Sequence, residues 1–359
     1  MKKSRLIMII ICLFILANTA SGSKLKTGEN NDIINIVFNN NTLYVGGHGD
    51  GNYSKIQDAV DNASDGDTIF VYNGTYNLTE TIFLNKSINL IGENKSNTKI
   101  DSINCGTAIY VFADNSNISG FTIINNNESI DRNYNMVGIW ITPHADYTNI
   151  SNNIISRHYA GIHMASDSNH NRIFNNIIAE NSDTLTQHFI GHDGAGILLF
   201  NNKENEIFGN NIDYNGNGIY LITSEKNHIY NNIILNSENI GISVDRSHSN
   251  TIRNNEINNS SRGVLISEGN ENIVHNNNIS YCFIGVELEE KSYKNNIHHN
   301  NLFNCMTMAY TNHAPFNKWR RNYWGRPRIL PKPIFGLIGY FDNSLITDFD
   351  WFPALRPYI

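Results

Sequence analysis

Six of the thirteen histidines fall between residues 144 and 192: His144, His158, His163, His170, His188 and His192. Imidazole titrates near neutrality, so a stretch gathering this residue type can take a proton from a substrate or return one. In Gly191-His192-Asp193-Gly194 a carboxylate adjoins an imidazole, between glycines that let the backbone turn sharply. His192 and Asp193 are therefore the first catalytic candidates, with His163 and His144 expected to approach them. Trp140, Phe200 and Tyr220 lie nearby in the repeat described below. Their ring faces can stack on the C–H face of a sugar while His163 and His188 meet its hydroxyls, the usual make-up of a cleft with few polar groups among aromatics. The chemistry is polysaccharide binding, with hydrolysis, elimination, epimerisation or no bond-breaking left open. The competing reading is that the outward aromatics merely pack beneath covering loops.

These residues hang on an internal repeat. Gly138, Gly161, Gly196, Gly218, Gly241, Gly263 and Gly285 follow one another at steps of 23, 35, 22, 23, 22 and 22. Each opens an alternating run (GIWI, GIHM, GILL, GIYL, GISV, GVLI, GVEL), and a period of two means strand. The aliphatic places point inward. The places of Trp140, His163, Leu198, Tyr220, Ser243, Leu265 and Glu287 point outward. Short strands repeating every 22 or 23 residues, with turns and no helix signal, predict an all-β fold: a right-handed parallel β-helix solenoid of about ten coils. Stacking places Asn153, Asn210, Asn255 and Asn277, each eight residues before its glycine, in one row. They form either an inward hydrogen-bonded ladder or a line of solvent-facing loop residues.

The step breaks twice just before a glycine, with excess residues in 125–136 and about 179–193. Both insertions should leave the solenoid at the same turn, on either side of the coil carrying Gly161, and insertions on one face commonly mark a binding face. Upstream, Ile56, Ala59, Val60 and Ala63 recur at helical spacing, with Ser54 as a candidate cap, which predicts a short lid over the open N-terminal end. The expected organisation is a signal peptide over 1–23, a linker over 24–41, the β-helix with its cap over 42–316 and a tail over 317–359. The tail holds Trp319, Tyr323, Trp324, Trp351 and Phe352, and reads either as a C-terminal lid or as an aromatic-basic ligand surface with Arg320, Arg321, Arg326 and Arg328.

Lys2, Lys3 and Arg5, the apolar run from Leu6 to Ala17, and the small polar residues after it read as a secretory signal. A secreted or cell-surface monomer is expected, without a membrane span in the mature chain. A net charge of -7 and the lack of any recognisable basic stripe argue against nucleic acid as a partner and leave polysaccharide or cell-envelope glycan. Cys282 and Cys305 should stack on neighbouring coils, as a disulfide or as two buried thiols. Asp245, Arg246, Glu287 and Glu289 read as a solvated acidic end.

The run IQDAVDNASDGDTIFVYNGTYN, followed by INLIGEN, resembles the opening of secreted right-handed β-helix proteins of the pectin-lyase-like superfold. It is most similar to the NosD-type group and the group of carbohydrate-binding and sugar-hydrolase repeats, over roughly residues 43–330. The resemblance implies the fold; for function it spans lyases, hydrolases, epimerases, adhesins and a copper-site accessory protein. Thr142-Pro143-His144 resembles the Asp-Pro-His signature of alginate epimerases, with threonine where that signature has its catalytic aspartate. His298, His299, Cys305, Met306, Met308 and His313 are the donors a copper reading would use, soft sulfur with imidazole suiting Cu(I). Because Met306 and Met308 alternate like core residues, no metal ligand is assigned, and no cofactor is named.

Overall fold

From Val137 to Phe303 each coil is built from one long strand and two three-residue strands, and the reason lies in what meets the glycines. A Cβ added at Gly218 would lie 2.4 Å from the carbonyl oxygen of Gly241 in the next coil and 2.6 Å from Ile234 Cγ2. Only a residue without a side chain passes this corner, so the glycine recurs with the coil. The structure, a computed structural model, describes residues 41–127, 136–182, 194–337 and 345–358. Thr42–Ile359 forms one unit. The signal segment and nearly all of the linker lie outside the described residues.

Three parallel stacks make three faces. Face 1 carries the long strands, among them Val137–Ile141, Ala160–Met164, Ala195–Phe200 and Asn217–Ile222. Face 2 carries the short strands that follow, such as Arg172–Phe174, Glu206–Phe208 and His228–Tyr230. Face 3 is an 11-stranded sheet that includes Ile154–Ser156 and Ile177–Ala179. Face 1 pairs in strict register, Ile139 on Ile162, Ile197, Ile219 and Ile242, all at 0% exposure. The solenoid has about twelve turns, two more than the repeat count suggests, because the first coils lack the glycine phrase and the last outlasts it. Lys318–Arg320 and Tyr323–Trp324 continue faces 2 and 3, so the final coil takes in residues assigned to the tail. The antiparallel strands Lys332–Leu337 and Leu345–Asp350 follow it.

At the corner between faces 2 and 3 the paired asparagines divide the work. The first adopts the left-handed conformation (Asn175 φ 56°, Asn231 φ 56°, Asn254 φ 55°), which asparagine tolerates better than most residues. The second points inward. Asn210 Nδ2 donates to Ile173 O (2.9 Å) and to Asn232 Oδ1 (3.0 Å), and its backbone N donates to the same oxygen (3.0 Å). Asn153, Asn176, Asn210, Asn232, Asn255, Asn277, Asn300 and Asn322 form this ladder, so the inward reading of the row holds. A second ladder, Asn171 to Asn317, lines the corner between faces 1 and 2. Each bond adds about 1 kcal/mol net, and each buried donor left unpaired costs about 1–3.

The first ladder ends on a carboxylate. Asp350, at 0% exposure, accepts from Asn322 N (2.9 Å) and Nδ2 (3.2 Å), from Trp324 Nε1 (3.1 Å) and from Arg321 N (3.0 Å). An acceptor without donors suits this rung, since among the described residues no further coil follows Asn322 to accept a hydrogen bond. At the other end α1 (Ile56–Asn62) buries Ile56, Ala59 and Val60. Its N-cap is Lys55 rather than Ser54, with no side-chain capping bond. Cys282 and Cys305 are buried free thiols, inward at the corner between faces 3 and 1, where earlier coils place Asn181, Asn215, Ser237 and Ser260. The hydrogen bond with the stacked Cys305, and then burial, push the Cys282 thiol up.

Candidate functional site

On the outside of face 1 the register lines up Phe83, Tyr110, Trp140, His163, Leu198, Tyr220 and Ser243. Ring centroids lie 5.8 Å apart for Phe83 and Tyr110, 5.4 Å for Tyr110 and Trp140, and 4.5 Å for Trp140 and His163. The last two pairs are tilted by 33° and 40°, so the rings do not hide one another's faces as a parallel stack would. Phe200 stands 43% exposed one outward place further along. The outward readings of Trp140, His163, Phe200 and Tyr220 thus meet on one face. Trp140 and Leu198 also lean on a buried cluster of Met136, Val137, Tyr159 and Ala160, so part of their surface packs rather than waits for a ligand.

His163 is neutral at neutral pH. Its Nε2 is shut off from solvent with no hydrogen-bond partner among the described residues, and burial lowers its pKa to about 4. Such an imidazole is a ring to pack against, and is too weakly basic to arrive protonated as a general acid. His144 is exposed at the corner beyond the end of face 1, in the left-handed region (φ 67°), so it does not share the strand face with His163. Thr142 is 6% exposed and its Oγ1 donates to Val111 O at 2.9 Å, a corner-locking role in place of the aspartate of the epimerase signature. His188, His192 and Asp193 lie outside the described residues, as do 128–135 and the rest of 183–193. Both insertions run from a face 3 strand to a face 1 strand, as their positions before the glycines imply.

Face 2 carries what the sequence reading missed. Phe174, Phe208, Tyr230, Arg253, His275, His298 and Arg320 form one outward column in continuous register. Phe174, Phe208 and Tyr230 stack at 5.0 and 4.9 Å within 2° of parallel, and Arg253 caps Tyr230 at 4.3 Å. A basic stripe interleaved with rings therefore exists, contrary to expectation. Its members lie 22 to 34 residues apart, one per coil, so no local window shows them together. Beside the aromatic half lies a shallow depression of about 430 Å³ lined by Tyr147, His170, Arg172, Glu204, Glu206 and His228. Cross-coil ion pairs fill it: Arg172 Nε to Glu206 Oε2 at 3.0 Å and His170 Nδ1 to Glu204 Oε2 at 3.5 Å.

The acidic end of face 1 is solvated only in part, with Arg246 exposed and paired with Asp245. Glu287 is 4% exposed and pairs with Arg262, while burial and then the neighbouring Glu287 charge raise the pKa of Glu289. Of the soft-metal donors only His298 and His299 come together, their Nδ1 atoms 2.7 Å apart, and the sulfur atoms stay away from them. His298 is outward on face 2, His299 sits at its corner, Cys305 points inward at another corner, Met306 is 78% exposed and Met308 packs on the core. Among the described residues no three histidine, cysteine or carboxylate side chains gather as a metal would require.

Three stacked faces, an inward aliphatic column on each and amide ladders at the corners define a right-handed parallel β-helix. Residues 62–234 match the family described as right handed beta helix region, and residues 184–329 match the one described as periplasmic copper-binding protein (NosD). Among solved structures the chain is similar to the Dettilon tailspike protein, at 17% identity over 86% of this chain and 70% of that one, with a TM-score of 0.58. It is also similar to the A-module of the Azotobacter vinelandii mannuronan C-5 epimerase AlgE4 (14% identity, 78% of this chain and 94% of that one, TM-score 0.55). DFA-IIIase from Arthrobacter chlorophenolicus A6, in complex with GF2, is similar at 15% identity over 79% of this chain and 94% of that one, TM-score 0.55. Likeness at these identities concerns the fold. No curated protein matches by sequence.

Proposed function

We propose that this is a secreted or cell-surface protein that binds polysaccharide along the outside of face 1. The observation carrying the reading is the tilted aromatic row Tyr110, Trp140 and His163, continued by Leu198 and Tyr220 and flanked by the exposed Phe200. Carbohydrate recognition draws on aromatic faces with polar groups alongside, and a straight solenoid face several coils long suits a polymer better than a small solute. A tailspike and a mannuronan epimerase among the structural neighbours are in keeping with a glycan ligand. Bond-breaking is not part of the proposal, because His163 is neutral and the His192–Asp193 pair stands only on its sequence context.

The test is retention of the full chain on a panel of immobilised neutral and acidic polysaccharides, beside Trp140→Ala and Tyr220→Ala variants. Binding of at least one polysaccharide, weakened about tenfold by either change, supports the reading. Unchanged retention in both variants places the ligand elsewhere. Sequencing the N-terminus of the exported protein tests the proposed removal of 1–23.

A further inference from the structure

We infer that the column Arg253, His275, His298 and Arg320, with His299 and Arg321 beside it, docks a linear polysaccharide carrying a carboxylate on each sugar, aligned with the solenoid axis. The inference rests on the polysaccharide reading, but concerns face 2 rather than face 1.

Charge carries the argument. In the N-terminal half, outward cations meet a carboxylate of the next coil: Arg157 with Glu180 (3.1 Å), His170 with Glu204 (3.5 Å), Arg172 with Glu206 (3.0 Å). In the C-terminal half Lys294 meets Glu271 (3.5 Å) at the corner beside the column, but among the described residues no carboxylate pairs with Arg253, His275, His298 or Arg320. The charges acting on His275 are Arg253 and His299; those on His298 are His275, His299 and Arg320; those on His299 are Arg321, Arg320 and, opposing them, the buried Asp350. With neutral imidazoles between them, Arg253 and Arg320 present two charges along the strip for an outside anion to answer. Burial first, and the neighbouring charges after it, hold the imidazoles neutral, and the guanidinium groups beside them would repel a metal cation, so the complement is an anion.

Spacing narrows the ligand. Coils repeat at about 4.8 Å, and the rings of His275 and His298 lie 5.0 Å apart within 14° of parallel. One sugar of an extended polysaccharide is about as long as one coil is tall, so successive carboxylates would meet successive coils. The planar forks of Arg253 and Arg320 suit two-point contact with a carboxylate, and imidazole N–H groups between them supply neutral donors. Bound carboxylates would raise the proton affinity of His275, His298 and His299, so binding should tighten as pH falls from about 6.5 toward 4, while the uronates stay charged.

Isothermal titration of the full chain with an oligogalacturonate, a neutral (1→4)-linked glucan of equal length, a sulfated polysaccharide and single-stranded DNA tests this. The oligogalacturonate should bind more tightly than the other three, with affinity falling as salt rises. The double substitution Arg253→Ala, Arg320→Ala should weaken it tenfold or more without altering the glucan, and Arg157→Ala should change neither. Tighter binding of DNA or the sulfated polymer would overturn the carboxylate assignment. Glucan binding that depends on Trp140, with no preference for the oligogalacturonate, would overturn the strip and leave the face 1 reading standing. No binding of any polysaccharide to the parent chain would overturn both.

Discussion

The two halves of the solenoid share a core and differ outside. From Phe83 to Tyr220 the protein spends its outward places mainly on rings along face 1 and on cross-coil ion pairs along face 2 and its corner with face 1. Beyond Tyr230 the outward column of face 2 is guanidinium and imidazole with no carboxylate in it, the nearest ion pair being Lys294 with Glu271 at the corner, and face 1 buries Glu287 against Arg262. The inward columns barely change between the halves, isoleucine and valine above isoleucine and valine. Since stacking and the amide ladders specify the coil, outward positions are free to divide recognition along the axis. Rings, which are neutral, suit any sugar, whereas uncompensated cations select an acidic one.

The largest expected effect comes from the end where the ladder stops. Asp350→Ala leaves the buried donors of Asn322 and Trp324 without their acceptor, and should cost at least about 3 kcal/mol in urea unfolding. Because contacts run mainly between adjacent coils, amide exchange should accelerate in the C-terminal coils and little near Trp140. Uniform acceleration along the chain would show that the halves unfold as one. Next comes Trp140→Ala, about 1–2 kcal/mol in polysaccharide binding, read on the folded protein because Trp140 also packs on Met136 and Tyr159.

A smaller effect distinguishes the halves by pH. Burial holds His163 and His298 at about 4, below the usual imidazole value. The unfolded chain then takes up protons between about pH 6.5 and 4 that the folded chain refuses, so stability is full above that window and declines as pH falls through it. His163→Gln and His298→Gln should each flatten the decline, read as unfolding midpoints across that range. Asp348, pushed up to about 6 by burial, acts in reverse and loses stability as pH rises toward 6. Smallest of all, Arg157→Ala should shift stability by no more than about 0.5 kcal/mol, since its pair is exposed, and Arg253→Ala should be neutral or slightly stabilising.

Inward residues were legible in the sequence because stacking makes them recur. Asn153, Asn210, Asn255 and Asn277 keep one distance from their glycines, and the structure places them in one ladder. The Phe174 to Arg320 column was not legible: register repeats the position but nothing obliges the residue type to repeat, so ring, guanidinium and imidazole alternate without a motif. Asp350 was hidden differently, joining Asn322 from beyond the last repeat across 28 residues. Glu287 misled because a carboxylate at an outward place reads as solvated until Arg262, one coil earlier, is seen to cover it. Ser54 misled in the same local way, a favourable capping type one residue from where α1 takes its N-cap.

Hydroxyl-radical footprinting of the full chain, with and without a polysaccharide that it retains, tests the central claim directly. Tyr281, on another part of the coil at 60% exposure, and Trp351, also at 60%, serve as internal references. The account predicts that bound polysaccharide lowers oxidation of Trp140, Tyr220 and Phe200 while Tyr281 and Trp351 react as before. Undiminished oxidation of the face 1 rings at saturating ligand, or protection confined to Tyr281 and Trp351, would contradict it.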